Sequence, residues 1–163
     1  MIIRPMLAAK LDDYDLEHDV IPYPVLCTPK IDGIRCIVVE GQALSRSFKP
    51  IANDYIRQTI EKYCPTGFDG ELITFTDGKM DEFNTVQSKV MSFNGTPDFQ
   101  YWVFDYEMGD AKRAYEDRCK DLERQIVAAF VKKILPIWIT NKDILLQYET
   151  DKLSEGYEGI MLR

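Results

Sequence analysis

Cys27-Thr28-Pro29-Lys30-Ile31-Asp32-Gly33-Ile34-Arg35 is the stretch from which the rest of the chain can be read. Val25-Leu26-Cys27 before it is apolar and strand-like, and Ile34 to Glu40 forms a second β-prone run. Asp-Gly between two such runs is a strong short hairpin signal, so a tight turn is expected at Asp32-Gly33. A plain hairpin needs neither Lys30 nor Arg35. Alternate side chains of a strand share a face, so Lys30 and Asp32 are expected to project together from the end of the first strand. Arg35, on the next strand, would bring a second cation near the lysine. Lysine attacks only as the neutral amine, and at the ordinary lysine pKa of about 10.4 roughly a thousandth is neutral near pH 7.4. A neighbouring cation and partial burial both favour the neutral form. The stretch therefore reads as a lysine nucleophile.

Length and composition bound the setting. At 163 residues the chain suits one domain with a proper core, or the larger part of a two-domain protein. A hydrophobic content of 45% with 29% charged residues describes a soluble globular protein. No long apolar run follows Met1-Ile2-Ile3-Arg4, so neither a signal peptide nor a membrane span is expected. Cys27, Cys36, Cys64 and Cys119 have no paired spacing, which argues against a zinc site and for reduced thiols in the cytoplasm. The one histidine, His18, lies in an acidic stretch from Asp12 to Pro24 and reads as part of a solvated loop. A net charge of −7 is awkward for a nucleic-acid binder. Either the basic residues gather on one face, or the strongest nucleic-acid contacts are made by parts outside this chain.

Further along, Gln42-Ala43-Leu44 is a short strand running into Ser45-Arg46-Ser47-Phe48-Lys49-Pro50. Arg46, and to a lesser degree Lys49, offers cationic donors suited to phosphate or ribose. Ile56, Ile60 and Tyr63 mark an amphipathic helix over 53–63, capped by Asn53 or Asp54. Phe68 to Ile73 is a strand with acids at alternate positions; a carboxylate such as Glu71 is costly to bury without a partner. Thr76-Asp77-Gly78-Lys79 is a hairpin turn, and Phe83, Val86 and Val90 mark a helix ending near Met91. Gln100 to Tyr106 is an aromatic strand whose rings, Tyr101 and Trp102 among them, are expected in the core. Tyr115, Cys119, Leu122, Ile126 and Phe130 predict a covering helix over 114–130, with Asp117-Arg118 on its solvent side. Ile134 to Ile139, broken by Pro136, predicts an edge strand. Asn141 or Asp143 would cap a last helix reaching Ser154, closed by Gly156.

Taken together, these elements carry an ordered set of motifs. Lys30-x-Asp32-Gly33-x-Arg35, Ser45-Arg46, Asp69-Gly70-Glu71, Phe104-Asp105 and Glu158-Gly159 resemble the successive motifs of the ATP-dependent DNA ligases, phage-type ligases above all. The resemblance spans nearly the whole chain, from about Met6 to Arg163, and begins with a weaker likeness of the Arg4 to Lys10 lead-in to the segment beside the purine pocket. It implies an α+β fold of antiparallel sheets flanked by helices, the ATP-grasp-like nucleotidyltransferase fold of ligase adenylation domains. The nucleotide would lie in a groove with Lys30 at its floor.

Carried over residue by residue, the resemblance makes Lys30 the nucleophile toward the α-phosphate of ATP. Asp32 and Arg35 would assist, and Thr28, Ile31, Arg35 and Arg46 would contact the nucleotide. Glu71 would bind ribose or metal, Phe104 would stack on the purine, and Glu158 would help hold Mg²⁺. AMP would pass from the lysine to the 5′-phosphate of nicked double-stranded DNA. The family has a further lysine-bearing motif and an oligonucleotide-binding barrel, both beyond Arg163. The expectation is thus a single adenylation domain over 1–163, monomeric and impaired as an isolated piece. Two rivals remain at this point: a GTP-using capping enzyme or an RNA ligase, and a catalytically idle nucleotide-binding module. Glu rather than Asp at position 158 speaks against capping.

Overall fold

The computed structural model describes residues 9–11, 18, 20–109 and 112–163. The lead-in from Arg4 and most of the acidic stretch after Asp12 lie outside the described residues, apart from their edges. β1 (Val25–Lys30) and β2 (Ile34–Val39), the strands joined by Asp32-Gly33, belong to different sheets, so the expected hairpin does not form. Neither Asp32 nor Gly33 has the positive φ that a two-residue I′ turn demands. Gly33 is needed for another reason. A Cβ there would lie 2.6 Å from the Leu72 carbonyl oxygen and 2.7 Å from Ile73 Cδ1. Two-residue turns with two positive φ values do occur at Glu40-Gly41 (51° and 75°), directly after β2, and at Asp77-Gly78 (50° and 73°), between β4 (Phe68–Thr76) and β5 (Lys79–Met80).

Two compact units result, one of Asp32–Ile134 and the other of the described residues up to Ile31 with Leu135–Arg163. The first holds a six-stranded sheet. Its order is β3 (Gln42–Ser45), β2, β4, β6 (Asp98–Tyr106) and β7 (Val131–Lys133), with β5 beside β4. All its pairs are antiparallel except β6 with β7, which is parallel. The α+β expectation holds, with that one parallel edge.

Pleating separates the two faces of this sheet. Cys36, Val38, Leu72, Tyr101 and Val103 point into one core with Ile56 and Ile60 of α1 (Asp54–Tyr63), Val86 and Val90 of α2 (Phe83–Met91) and Leu122 of α3 (Tyr115–Arg124). Arg35, Glu71 and Trp102 alternate to the other face. Trp102 is thus buried but not in the core shared by Tyr101; its ring lies 3.9 Å from Lys132 Nζ. Asn53 caps α1, accepting from the Ile56 N–H at 2.9 Å, while its amide donates to the carbonyls of Ser92, Asn94 and Gly95. Tyr63, expected on the buried stripe, is exposed.

The long helix predicted over 114–130 stops at Arg124. Lys133 Nζ donates to the carbonyls of Glu123 and Gln125 at 2.6 and 3.1 Å, satisfying the helix end. The chain then turns back so that β7 can run beside β6. Ile126 is fully exposed, and Phe130 reaches the core from the loop, 5.3 Å from the Phe99 ring. Arg118 is buried rather than solvent-facing. Of the edge strand expected over 134–139, only β8 (Ile137–Ile139) forms, at one edge of the second unit's sheet; β7 has already ended at Lys133 in the first unit.

The second unit is a three-stranded antiparallel sheet ordered β8, β1, β9 (Gly159–Leu162), with α4 (Lys142–Ser154). Cys27, Ile139 and Leu145 form its core. Asn141 caps α4 by accepting from the Ile144 N–H at 3.0 Å. A proline inside a central strand normally costs a ladder bond. Leu26 exchanges both its bonds with Arg163 on the β9 side, so by alternation Pro29 faces the β8 side. There β8 pairs only with Val25 to Cys27, and no ladder bond is lost. Among the described residues, no helix is long and apolar enough to cross a membrane.

Candidate active site

In the second unit, β1 and β9 pair Thr28 with Met161, Pro29 with Ile160 and Lys30 with Gly159. This register brings Lys30 and Glu158 together from distant parts of the chain. The Glu158 N–H donates to the Lys30 carbonyl at 3.1 Å, and its carboxylate forms an ion pair with Lys30 Nζ. Both side chains remain substantially exposed, at 39% and 48%. Two residues back, Thr28 Oγ1 is buried and accepts from Arg163 Nη1 at 2.9 Å. Gly159 has φ of 154°, a backbone state that suits glycine at the point where Glu158 turns onto the strand.

In the first unit, register places Arg35 opposite Glu71, and Glu71 opposite Trp102. Arg35 is held bidentately by Asp69, Nε to Oδ1 at 2.5 Å and Nη2 to Oδ2 at 2.7 Å. Its guanidinium carbon lies 4.7 Å from the centroid of the Phe104 ring. Burial opposes the Arg35 charge, but the hydrogen bonds to Asp69 and the nearby Glu71 carboxylate outweigh it and raise the pKa above its ordinary value. One Glu71 oxygen is fully buried. Arg35, Glu71 and Phe104 therefore form one cluster on the face of the sheet away from α1 and α2. Ring and cation already stack, so a base reaching Phe104 either displaces the guanidinium or takes the other ring face.

The remaining expected residues are more open. Asp32 is exposed on the segment between β1 and β2, beside half-buried Ile31. Ser45 pairs with Cys36, so Arg46 leaves the sheet at the end where Arg35 enters it. Arg46 and Lys49 are exposed on a tight turn closed by the Phe48 N–H donating to the Ser45 carbonyl at 2.9 Å. The thiols offer no competing nucleophile. Burial pushes Cys27 and Cys64 up to about 12 and Cys36 well above its ordinary value.

Two residues escaped the sequence reading. Asp69 anchors Arg35; its signal was the acid two positions before Glu71 on the same strand. Arg118 donates from Nε and Nη2 to Asp105 at 2.8 and 2.9 Å, and nothing in its surroundings in the sequence marks it as buried. The Asp105 hydrogen bonds raise its pKa against the cost of burial.

No protein-family model and no curated protein matches the chain. Solved structures do. A Chlorella virus DNA ligase-adenylate is similar over all of this chain, with a TM-score of 0.84 and 38% identity, covering 61% of that protein. A Lig E DNA ligase matches with a TM-score of 0.75 at 19% identity, over 100% of this chain and 62% of its own. The ATP-dependent DNA ligase from bacteriophage T7, in complex with ATP, matches at 0.64 and 16% identity over 98% of this chain and 63% of its own. At these last two identities the likeness is one of fold alone. The chain spans about three fifths of the length of these ligases. The fold expected from the motif order is borne out by these neighbours, and the similarity to the Chlorella virus DNA ligase-adenylate supports the family that the motifs resemble.

Proposed function

We propose that this chain, a nucleotidyltransferase domain of the ATP-dependent DNA ligase type, uses Lys30 to take AMP from ATP. The neutral Nζ attacks the α-phosphorus. The N–P bond forms as the P–O bond to pyrophosphate breaks, and the amine gives up its proton. The products are lysyl-AMP and pyrophosphate. Phe104 stacks on the purine, Glu71 takes the ribose, and Arg35 and Arg46 meet the phosphates. Thr28 and Ile31 flank the nucleotide, and Asp32 orients the amine.

The observation that carries this reading is the Lys30–Glu158 ion pair on adjacent strands. A lysine held as an ammonium does not attack, so the pair has to open before reaction. Among the described residues no group of three or more acidic, histidine or cysteine side chains could hold a metal by itself. That suits Mg²⁺, which commonly binds through one or two carboxylates plus substrate phosphates. Glu158 and Glu71 each offer such a carboxylate. Bound Mg²⁺ would neutralise phosphate charge as pyrophosphate leaves.

We extend the proposal to strand joining. AMP passes from Lys30 to the 5′-phosphate of a nicked duplex, and the 3′-hydroxyl then displaces it. The first step is tested with ATP or GTP labelled at the α-phosphate, in the presence of Mg²⁺, followed by a denaturing gel. Label retained from ATP alone is the expected result. Label from GTP instead would move the protein to the capping class, and label from neither would contradict the proposal.

A further inference from the structure

Phe104 sits at an irregularity of the sheet that is held by a helix outside the motifs. Pairing between β4 and β6 runs from Gly70 with Val103 directly to Asp69 with Asp105, which leaves Phe104 as the extra residue of a β-bulge. Burial records the same slip. Tyr101, Val103 and Tyr106 all enter the helix-side core, so the inward step lengthens from two residues to three across Phe104 and Asp105. Opposite the bulge the backbones touch: a Cβ on Gly70 would lie 2.3 Å from the Trp102 carbonyl oxygen. Bulges re-aim a side chain and take a residue out of the ladder, so the bulged backbone needs other support.

That support comes from α3. Tyr115 Oη donates to the Phe104 carbonyl at 2.8 Å. Arg118 grips both oxygens of Asp105, donates from Nη1 to the Arg113 carbonyl at 2.6 Å, and lies 5.5 Å from the Tyr115 ring centroid. Asp105 Oδ1 also accepts from the Tyr106 N–H at 2.8 Å. The bulged residue and its neighbour are thus fixed by a neutral hydrogen bond and a bidentate charged one. Bidentate pairing sets orientation as well as energy.

We infer that Tyr115 and Arg118 are positioning residues that lock the Phe104 bulge and so set the pose of the ring that stacks on the purine. The inference rests on the stacking role proposed above for Phe104. A simple docking contact for α3 would not need to end on the carbonyl of the bulged residue.

The test is calorimetric binding of ATP and of inorganic tripolyphosphate, which has no base, to the wild-type chain, Tyr115→Phe, Phe104→Ala and the double variant. Tyr115→Phe removes only the hydroxyl, and thermal unfolding checks that it folds. Loss of one hydrogen bond predicts ATP affinity lowered about 3- to 10-fold, with tripolyphosphate affinity unchanged. In the Phe104→Ala background the same substitution has no further effect, because the hydroxyl acts through the ring. Arg118→Lys, which keeps the charge but not the fork, weakens ATP in the same selective way. Equal losses for ATP and tripolyphosphate, or losses that add in the double variant, would overturn the inference. So would ATP binding weakened by Phe104→Ala but untouched by Tyr115→Phe. If Phe104→Ala leaves ATP binding unchanged, the stacking role itself fails, and the inference with it.

Discussion

Lys30 and Glu158 form an ion pair across the β1–β9 junction, and the same two residues are joined by a backbone hydrogen bond from the Glu158 N–H to the Lys30 carbonyl. The backbone bond fixes their spacing whatever the side chains do. Exposed ion pairs are worth about 0–1 kcal/mol, so this one has little weight in folding. Glu158→Gln should therefore shift the melting temperature by no more than about 4 °C. Mg²⁺-dependent formation of lysyl-AMP should fall at least about tenfold, the rate cost of about 1.4 kcal/mol in the barrier. Melting curves and labelling rates on the same preparation check both halves.

Asp69 is a different case. It holds the half-buried Arg35 bidentately, with side-chain exposures of 11% and 21%. Removing one partner of such a pair leaves a charge poorly solvated, which costs about 3–5 kcal/mol when burial is complete. With the residual exposure here, Asp69→Ala should cost about 2–3 kcal/mol, or about 5–10 °C in melting temperature. A drop below about 2 °C would show that Arg35 finds another partner.

Glycines at two connections of the chain should differ in what a methyl group costs. Gly33→Ala drives a Cβ into the Leu72 carbonyl, a backbone atom that cannot swing aside, so we expect a loss above about 2 kcal/mol. Gly41 has φ of 75° and open space around it, so Gly41→Ala should cost only about 1–2 kcal/mol of backbone strain. Chemical denaturation of the two variants distinguishes a crossover at Gly33 from a surface turn, where the costs would be alike.

Acid should weaken the β4–α2 contact within a defined window. Asp81 accepts hydrogen bonds from Thr74, Thr76 and Lys89, each at 2.6 Å. Burial alone would raise its pKa, but these partners hold it down to about 2, against 3.8 for an ordinary aspartate. A depressed carboxylate contributes stability above its unfolded pKa and loses it as pH falls through the folded one. Stability at this site should decline between about pH 4 and pH 2, and Asp81→Asn should flatten that part of the stability–pH curve.

The candidate site residues stand out in the sequence because their types are unusual for their places: a lysine and an arginine bracketing Asp-Gly, a glutamate on an apolar strand. What was not legible depends on distant backbone. Asp32-Gly33 carries every local mark of a hairpin, yet Gly33 answers to the Leu72 carbonyl on β4. Gln100 to Tyr106 reads as an unbroken strand, and only its register against β4 reveals the bulge at Phe104. Ile126 and Phe130 keep helical spacing although Lys133 has already closed the helix at Arg124. Arg118 sits among exposed charges in the sequence, and its burial follows from Asp105, which the fold delivers.

The claim that Lys30 is the nucleophile is tested most directly by intact-mass and peptide-level mass spectrometry after incubation with ATP and Mg²⁺. The account predicts a gain of one AMP, located on the peptide that contains Lys30 and absent from Lys30→Ala. An AMP adduct on another residue, or one that persists in Lys30→Ala, would contradict it.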